Sequence, residues 1–245
     1  YLICIGILLS SLAVSCGQDK IDAGGVEAVR ISVSMTSWSE VTFMQEAHIW
    51  EDDDQVAVIA TDKDGIPDIA GPITSGVPES FFMYSLPLME DVSTIGGYFP
   101  HDCGMTVDEG RLAFSIPEEQ DGRIIHMAAG KTKYRRQTYE GGEMTLKPVF
   151  KIVPVWIERG NRHVTSIRLT AKDGSMISGS TSIDISTWNA TAMSAGVTVR
   201  LEEPADCSKG GVCVPVMVAD NDTDVYIAEI TTLEGDTFSM DVTDS

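Results

Sequence analysis

The chain has 245 residues, with 37 acidic against 17 basic side chains and a formal net charge of −20 at pH 7. So acidic a chain repels nucleic acid and anionic lipid headgroups, which sets aside duplex binding. With 43% of its residues hydrophobic it can bury a sizeable core, which sets aside a disordered acidic tail.

The chain opens on an apolar, uncharged stretch, Leu-Ile-Cys-Ile-Gly-Ile-Leu-Leu-Ser-Ser-Leu-Ala-Val-Ser-Cys, from Leu2 to Cys16. It falls short of the roughly 20 apolar residues that span a bilayer. It suits the apolar region of a secretory signal, with Ala13-Val14-Ser15 as the small-residue cleavage site. Residues 1–15 are therefore expected to be a signal peptide, and the cut leaves Cys16 first. A cut just before cysteine resembles a bacterial lipoprotein signal, in which that cysteine is lipidated. Ala13 stands three before the cysteine, where that pattern favours leucine, and Leu12 stands one earlier. The other reading is an ordinary signal followed by a chance cysteine. Stable anchoring through Cys16 needs more than one acyl chain. No later apolar run is long enough for a transmembrane helix. The first residue is Tyr1, so a basic lead-in is expected upstream of it.

Residues 16–25 are polar and glycine-rich after the cysteine and read as a tether. Residues 26–35 alternate: Val29, Ile31, Val33 and Met35 on one side, Ala28, Arg30, Ser32 and Ser34 on the other. A period of two predicts a half-buried strand. The acidic turn at Glu51, Asp52, Asp53 and Asp54 leads into a strand ending near Ala60. Residues 61–78 read as loop, punctuated by Gly65, Pro67, Gly71, Pro72, Gly76 and Pro78. Strands are predicted over 80–86, 94–99, 111–116 and 122–129. A basic island follows at Lys131, Lys133, Arg135 and Arg136. Residues 144–157 form a long β-rich run broken by Pro148 and Pro154. Further strands are predicted over 164–171, 182–186, 195–201, 211–218, 224–231 and 236–242. Many short strands at close spacing predict all-β sandwiches. A boundary at Gly141-Gly142 divides them into residues 26–142 and 143–245.

Several motifs occur in a fixed order: Trp50-x-x-x-Asp54-x-Val56-x-Val58, Gly97-Tyr98-Phe99-Pro100, Ile116-Pro117-x-x-Gln120, Ile125-His126-Met127-Ala128-Ala129 and Val164-x-Ser166-Ile167-x-Leu169. Together, behind a lipoprotein-like signal, they resemble the fimbrillin-like lipoproteins, subunits of type V pili in gut and oral bacteria. The resemblance covers residues 26–200. Asp53 replaces the glycine usual before Asp54, and Phe99-Pro100 stands where Tyr-Pro is frequent. The part after residue 200 matches less well, so a short C-terminal sandwich is expected. The resemblance implies two transthyretin-like β-sandwiches in tandem. It also implies polymerisation by strand exchange at the outer membrane: a protease cuts after a basic residue, the first strand leaves, and another subunit's strand fills the groove. Arg30 is the arginine in that strand, and Lys20 is the alternative cut. In a subunit that is not cut, such as an anchor or tip, Arg30 is a solvated strand residue. On packing grounds, Trp50 would anchor a core, Asp54 would accept backbone N–H bonds in its turn, and Pro100 and Pro117 would end strands.

Four histidines (His48, His101, His126, His163) are scattered, with no HExxH, GxSxG, Walker or dinucleotide pattern. No CxxC pair supports zinc. A non-enzymatic chain without cofactor or metal is expected. Asp220-Asn221-Asp222-Thr223-Asp224 resembles the start of a calcium loop, but Val225 holds the position where the turn needs glycine. A solvated acidic turn is the plainer reading. Cys207 and Cys213 flank a flexible turn. They either form a disulfide, worth about 2 kcal/mol by loop entropy, or stand as two free thiols. Cys103 has no evident partner. The basic island would meet an acidic partner or simply face solvent. Trp38, Trp156 and Trp188 are candidates for stacking on a glycan, or for core packing. The functional expectation is a fimbrial subunit, anchor or tip protein at the cell outer membrane. It would bind other pilus subunits and support adhesion. The alternative is an outer-membrane lipoprotein that binds glycans.

Overall fold

The computed structural model describes residues 26–51, 54–61, 67–74, 81–87, 94–108, 111–135, 140–184 and 190–243. The signal, the tether, Cys16, Lys20, Arg136 and Trp188 lie outside them. Every regular element described is a strand.

The N-terminal half builds an eight-stranded sheet. Its strands are β1 (Val26–Trp38), β2 (Gln45–Ala47), β3 (Gln55–Thr61), β4 (Pro67–Thr74), β5 (Phe81–Pro87), β6 (Thr94–Phe99), β10 (Ala128–Arg135) and β11 (Glu140–Pro148). The order is β2-β1-β11-β10-β6-β3-β4, with β5 also paired to β1. Both faces of this sheet are buried, because neighbours along one strand go to opposite cores. Val56, Val58, Phe99 and Ala128 join Ile31, Val33, Met35, Ile95, Met144 and Leu146 on one face. Ala57, Ile59, Tyr98 and Ala129 enter a second core on the other. Glycine at position 97 has a packing reason: a Cβ there would lie 2.7 Å from Met144 Cε.

Two strands of this half leave it. β7 (Thr106–Asp108) and β8 (Arg111–Ile116) join β14 (Ser178–Asp184) and β15 (Ala190–Ser194) in a four-stranded sheet. The C-terminal half also holds β12 (Phe150–Ile157), β13 (His163–Ala171), β16 (Gly196–Asp206), β17 (Val212–Ala219), β18 (Val225–Thr232) and β19 (Thr237–Thr243). A five-stranded sheet runs β19-β18-β13-β16-β9, where β9 is only Glu119–Gln120. β12 and β17 form a separate ribbon in continuous register. Val153, Val155 and Ile157 face the third core, under the five-stranded sheet. Phe150 and Ile152 face the second. Burial on both faces explains the near-continuous apolar run of β12.

The all-β expectation holds, and most strands lie within a few residues of their predicted spans. Four features differ. The boundary at Gly141-Gly142 falls inside β11, which carries the N-terminal sheet on to Pro148. The two halves also interlock, since β8 pairs with β14 and β9 with β16. Residues 67–74, read as loop, pair with β3, at the end of the sheet order where proline is tolerated. The strand predicted over 122–129 begins only at Ala128. Gly122, at φ +84°, turns the chain instead, and Ile124 and Met127 drop into the second core.

Candidate strand-exchange site and surface groups

β1 carries the residues on which strand exchange would turn. It lies inside the sheet rather than at its edge. On one side it runs parallel to β11, from Arg30 opposite Glu140 to Met35 opposite Leu146. On the other it is antiparallel to β5, from Val26 opposite Pro87 to Ser32 opposite Phe81, and then to β2. Ile31, Val33 and Met35 are fully or almost fully buried, as their alternation predicts. Burying each is worth about 1.5–3 kcal/mol. Arg30 is backbone-paired on both flanks. Between Arg30 and Ser32 the partner on β11 jumps from Glu140 to Glu143, so Gly141 and Gly142 bulge opposite Ile31. A chain cut after Arg30, and so starting at Ile31, would thus lose the part of β1 facing Met83 to Pro87 and keep Ile31 to Trp38 in the sheet.

The turn before β3 matches its expectation. Asp54 Oδ2 accepts from Glu51 N at 2.7 Å and contacts His48 Nε2 at 3.1 Å. Trp50 stands edge-on to Phe99, 5.7 Å between ring centroids, against the first core.

The tryptophan candidates separate. Trp38 is partly buried and donates Nε1–H to Phe150 O at 3.1 Å. Trp156 is 61% exposed, at the end of β12 beyond the second core. Its ring meets Phe43 edge-on at 6.5 Å. Phe43 sits at φ +55° on the tip between β1 and β2. Val41 and Met44 on the same tip are also exposed.

The calcium-like segment meets an internal cation instead. Lys151, buried on β12, donates its ammonium to Thr223 O and, at 3.3 Å, to Asn221 O. Among the described residues no group of three or more metal-ligating side chains comes together. His163 Nδ1 lies 3.1 Å from Glu234 Oε1, and Nε2 lies 3.9 Å from Asp206. Of the basic island, Lys133 is exposed and Lys131 half-buried on β10.

Cys207 and Cys213 are both free thiols here, as is Cys103. Cys207 is buried in the third core, its Sγ 3.8 Å from Ala205 O. Cys213 stands opposite Trp156 in the ribbon. Burial pushes the Cys213 thiol up to about 11 and raises those of Cys103 and Cys207 as well.

Sequence reasoning missed Gln120 as a structural bridge. Its buried side-chain amide bonds both the N–H and the C=O of Met217. The motif Ile116-Pro117-x-x-Gln120 was the signal that could have found it.

A solved structure described as a candidate cell adhesion protein from Bacteroides ovatus shares this fold. Its TM-score is 0.56 at 13% identity, over 90% of this chain and 88% of that one. The fimbrial anchor protein Mfa2 from Porphyromonas gingivalis is similar with a TM-score of 0.47 and 13% identity, covering 87% and 82%. A fimbrial protein from Bacteroides ovatus scores 0.38 at 12% identity, covering 89% of this chain and 46% of that one. Only the first score defines a shared fold. By description the three are fimbrial or cell adhesion proteins. Neither the family models nor the curated proteins give a match to the sequence.

Proposed function

We propose that this chain is a lipid-anchored fimbrial subunit of the bacterial surface, serving as stalk, anchor or tip and supporting cell adhesion. It joins other subunits through a donated β-strand. The observation that carries the reading is the setting of β1: an N-terminal strand whose Val26–Arg30 stretch is backbone-paired to β5, ahead of a row, Ile31, Val33 and Met35, held in a closed core. Removing that stretch leaves backbone groups of β5 unpaired until another strand enters. A cut after Arg30 vacates the stretch opposite Met83 to Pro87 on β5. Because Arg30 is paired on both sides, such a cut needs β1 to open locally, or acts before the sheet closes. Signal cleavage before Cys16 and acylation of that cysteine would hold the unprocessed chain at the outer membrane.

The test is the intact mass of the mature protein from the outer-membrane fraction. A chain starting at Ile31 or Ile21 without lipid supports strand exchange. An acylated chain starting at Cys16 supports an anchored subunit that keeps β1. A soluble chain starting at Cys16 without lipid overturns the lipoprotein reading.

A second reading, glycan binding, is favoured by the solvent-facing ring of Trp156. It requires that Trp156→Ala abolish retention on glycans to which the parent protein binds.

A further inference from the structure

We infer that β19 is a self-complementary sheet edge through which two copies of this chain pair, antiparallel, about a two-fold axis at Met240. In an antiparallel ladder both backbone groups of a residue point the same way, and successive residues alternate. Lys172 N donates to Val225 O at 2.9 Å, so Val225 turns toward β13. By alternation Tyr226, Ala228 and Ile230 turn toward β19, and the bond from Thr232 N to Asp236 O agrees. Their partners Val242, Met240 and Phe238 turn back. That leaves the N–H and C=O of Thr237, Ser239, Asp241 and Thr243 pointing out of the sheet. Among the described residues no strand lies on that side.

Most other edges are stopped. On β17, Met217 points outward to Gln120, which places Pro215 outward too. Pro215 faces Pro154 in register, so each edge of the ribbon carries a proline with no N–H to offer. β4 contains Pro67 and Pro72. β2, β7 and β9 are three residues long or fewer. β15 has five residues, and its Ser194 O is taken by Ile177 N. β19 has seven residues in unbroken register and no proline. Natural sheets normally blunt such an edge with charge or proline. The one charge here, Asp241, is engaged by Lys172 at 2.6 Å.

The sequence of β19 favours a second copy as occupant. Pairing about Met240 sets Thr237 against Thr243 and Ser239 against Asp241, so no like charges stand opposite. On the inner face Phe238 meets Val242, and Met240 meets its own counterpart. Phe238 and Met240 are only partly buried at the rim of the third core, and a second β19 would complete their burial. The contact uses a preformed edge and needs no strand to leave, so it is independent of the proposed strand exchange.

The test is sedimentation of the full chain across a concentration series, under reducing conditions at physiological ionic strength. The wild type is expected to dimerise reversibly. Ser239→Pro removes an outward N–H and is expected to be monomeric, with the wild-type unfolding midpoint at concentrations low enough for the wild type to be monomeric too. Residue 239 would face Asp241 of the second copy, so Ser239→Lys should dimerise about tenfold or more tightly than Ser239→Asp. A wild type that stays monomeric throughout overturns the inference. So does a dimer indifferent to Ser239→Pro, or equal affinity for the Lys and Asp variants.

Discussion

The Gln120 side chain meets Met217 as a neighbouring strand would: its oxygen accepts from Met217 N at 3.0 Å and its amide donates to Met217 O at 2.9 Å. The same amide reaches Pro117 O at 3.1 Å. One side chain thus closes the edge of β17 and ties the segment after β8 to the C-terminal half.

Gln120→Ala leaves a buried donor and acceptor without partners, each costing about 1–3 kcal/mol. A loss of stability of about 2 kcal/mol or more is expected in urea denaturation. Gln120→Glu keeps the acceptor for Met217 N but sets a carboxylate against Met217 O. Its penalty should shrink as the pH is lowered and the carboxyl protonates.

Two glycines should respond differently to a methyl group. At Gly130 a Cβ would fall into the carbonyl of Thr145, which is backbone and cannot step aside. Gly130→Ala is expected to cost about 3 kcal/mol, the top of the usual overpacking range. At Gly97 the closest obstacle is the flexible end of Met144, with Ala57 O next at 3.2 Å. Gly97→Ala should cost about 1–2 kcal/mol. Unfolding midpoints of the pair decide.

Lys151 holds the turn before β18 with a buried ammonium. Lys151→Met should leave Asn221 O without this donor and Thr223 O with the Tyr226 hydroxyl alone, and destabilise the fold by about 1–3 kcal/mol. Amide exchange should quicken first at residues 221–224.

Three surface carboxyls sit below their ordinary range. Ser208 hydrogen-bonds Asp206, Ser175 hydrogen-bonds Asp173, and Glu234 is held by its own backbone N–H and then by His163. A carboxyl lowered in the folded state stabilises it fully above the unfolded value, about pH 4. That contribution fades as the pH falls through the lowered folded value. Carboxyl titration by NMR should find all three midpoints below those of the unfolded chain. His163→Ala should raise Glu234 only in part, because its backbone bond remains.

The thiol of Cys213, pushed up to about 11 by burial, holds little thiolate near neutrality. Its alkylation at pH 8 should run on the order of a hundredfold slower than that of an ordinary thiol. Peptide mass spectrometry measures this directly. The same non-reduced digest shows whether Cys207 and Cys213 remain unlinked.

The sequence by itself determined what is local. The two-residue period placed Ile31, Val33 and Met35 on the buried face of β1. Pro117 and Pro148 marked the ends of β8 and β11, and the acidic turn supplied Asp54 as acceptor for Glu51 N. These follow from pleat, ring closure and side-chain reach within a few residues. Tertiary structure decided whatever joins distant residues. A proline-punctuated loop became β4 because β3 offered it an edge. The predicted strand over 122–129 gave way to a turn at Gly122, with Ile124 and Met127 drawn into the second core. Across the boundary expected at Gly141-Gly142, β8 found its partner in β14, some seventy residues on. Period and propensity specify which face of a strand is buried. They do not specify which other strand buries it, since backbone hydrogen bonds are alike along every edge and only packing selects among them.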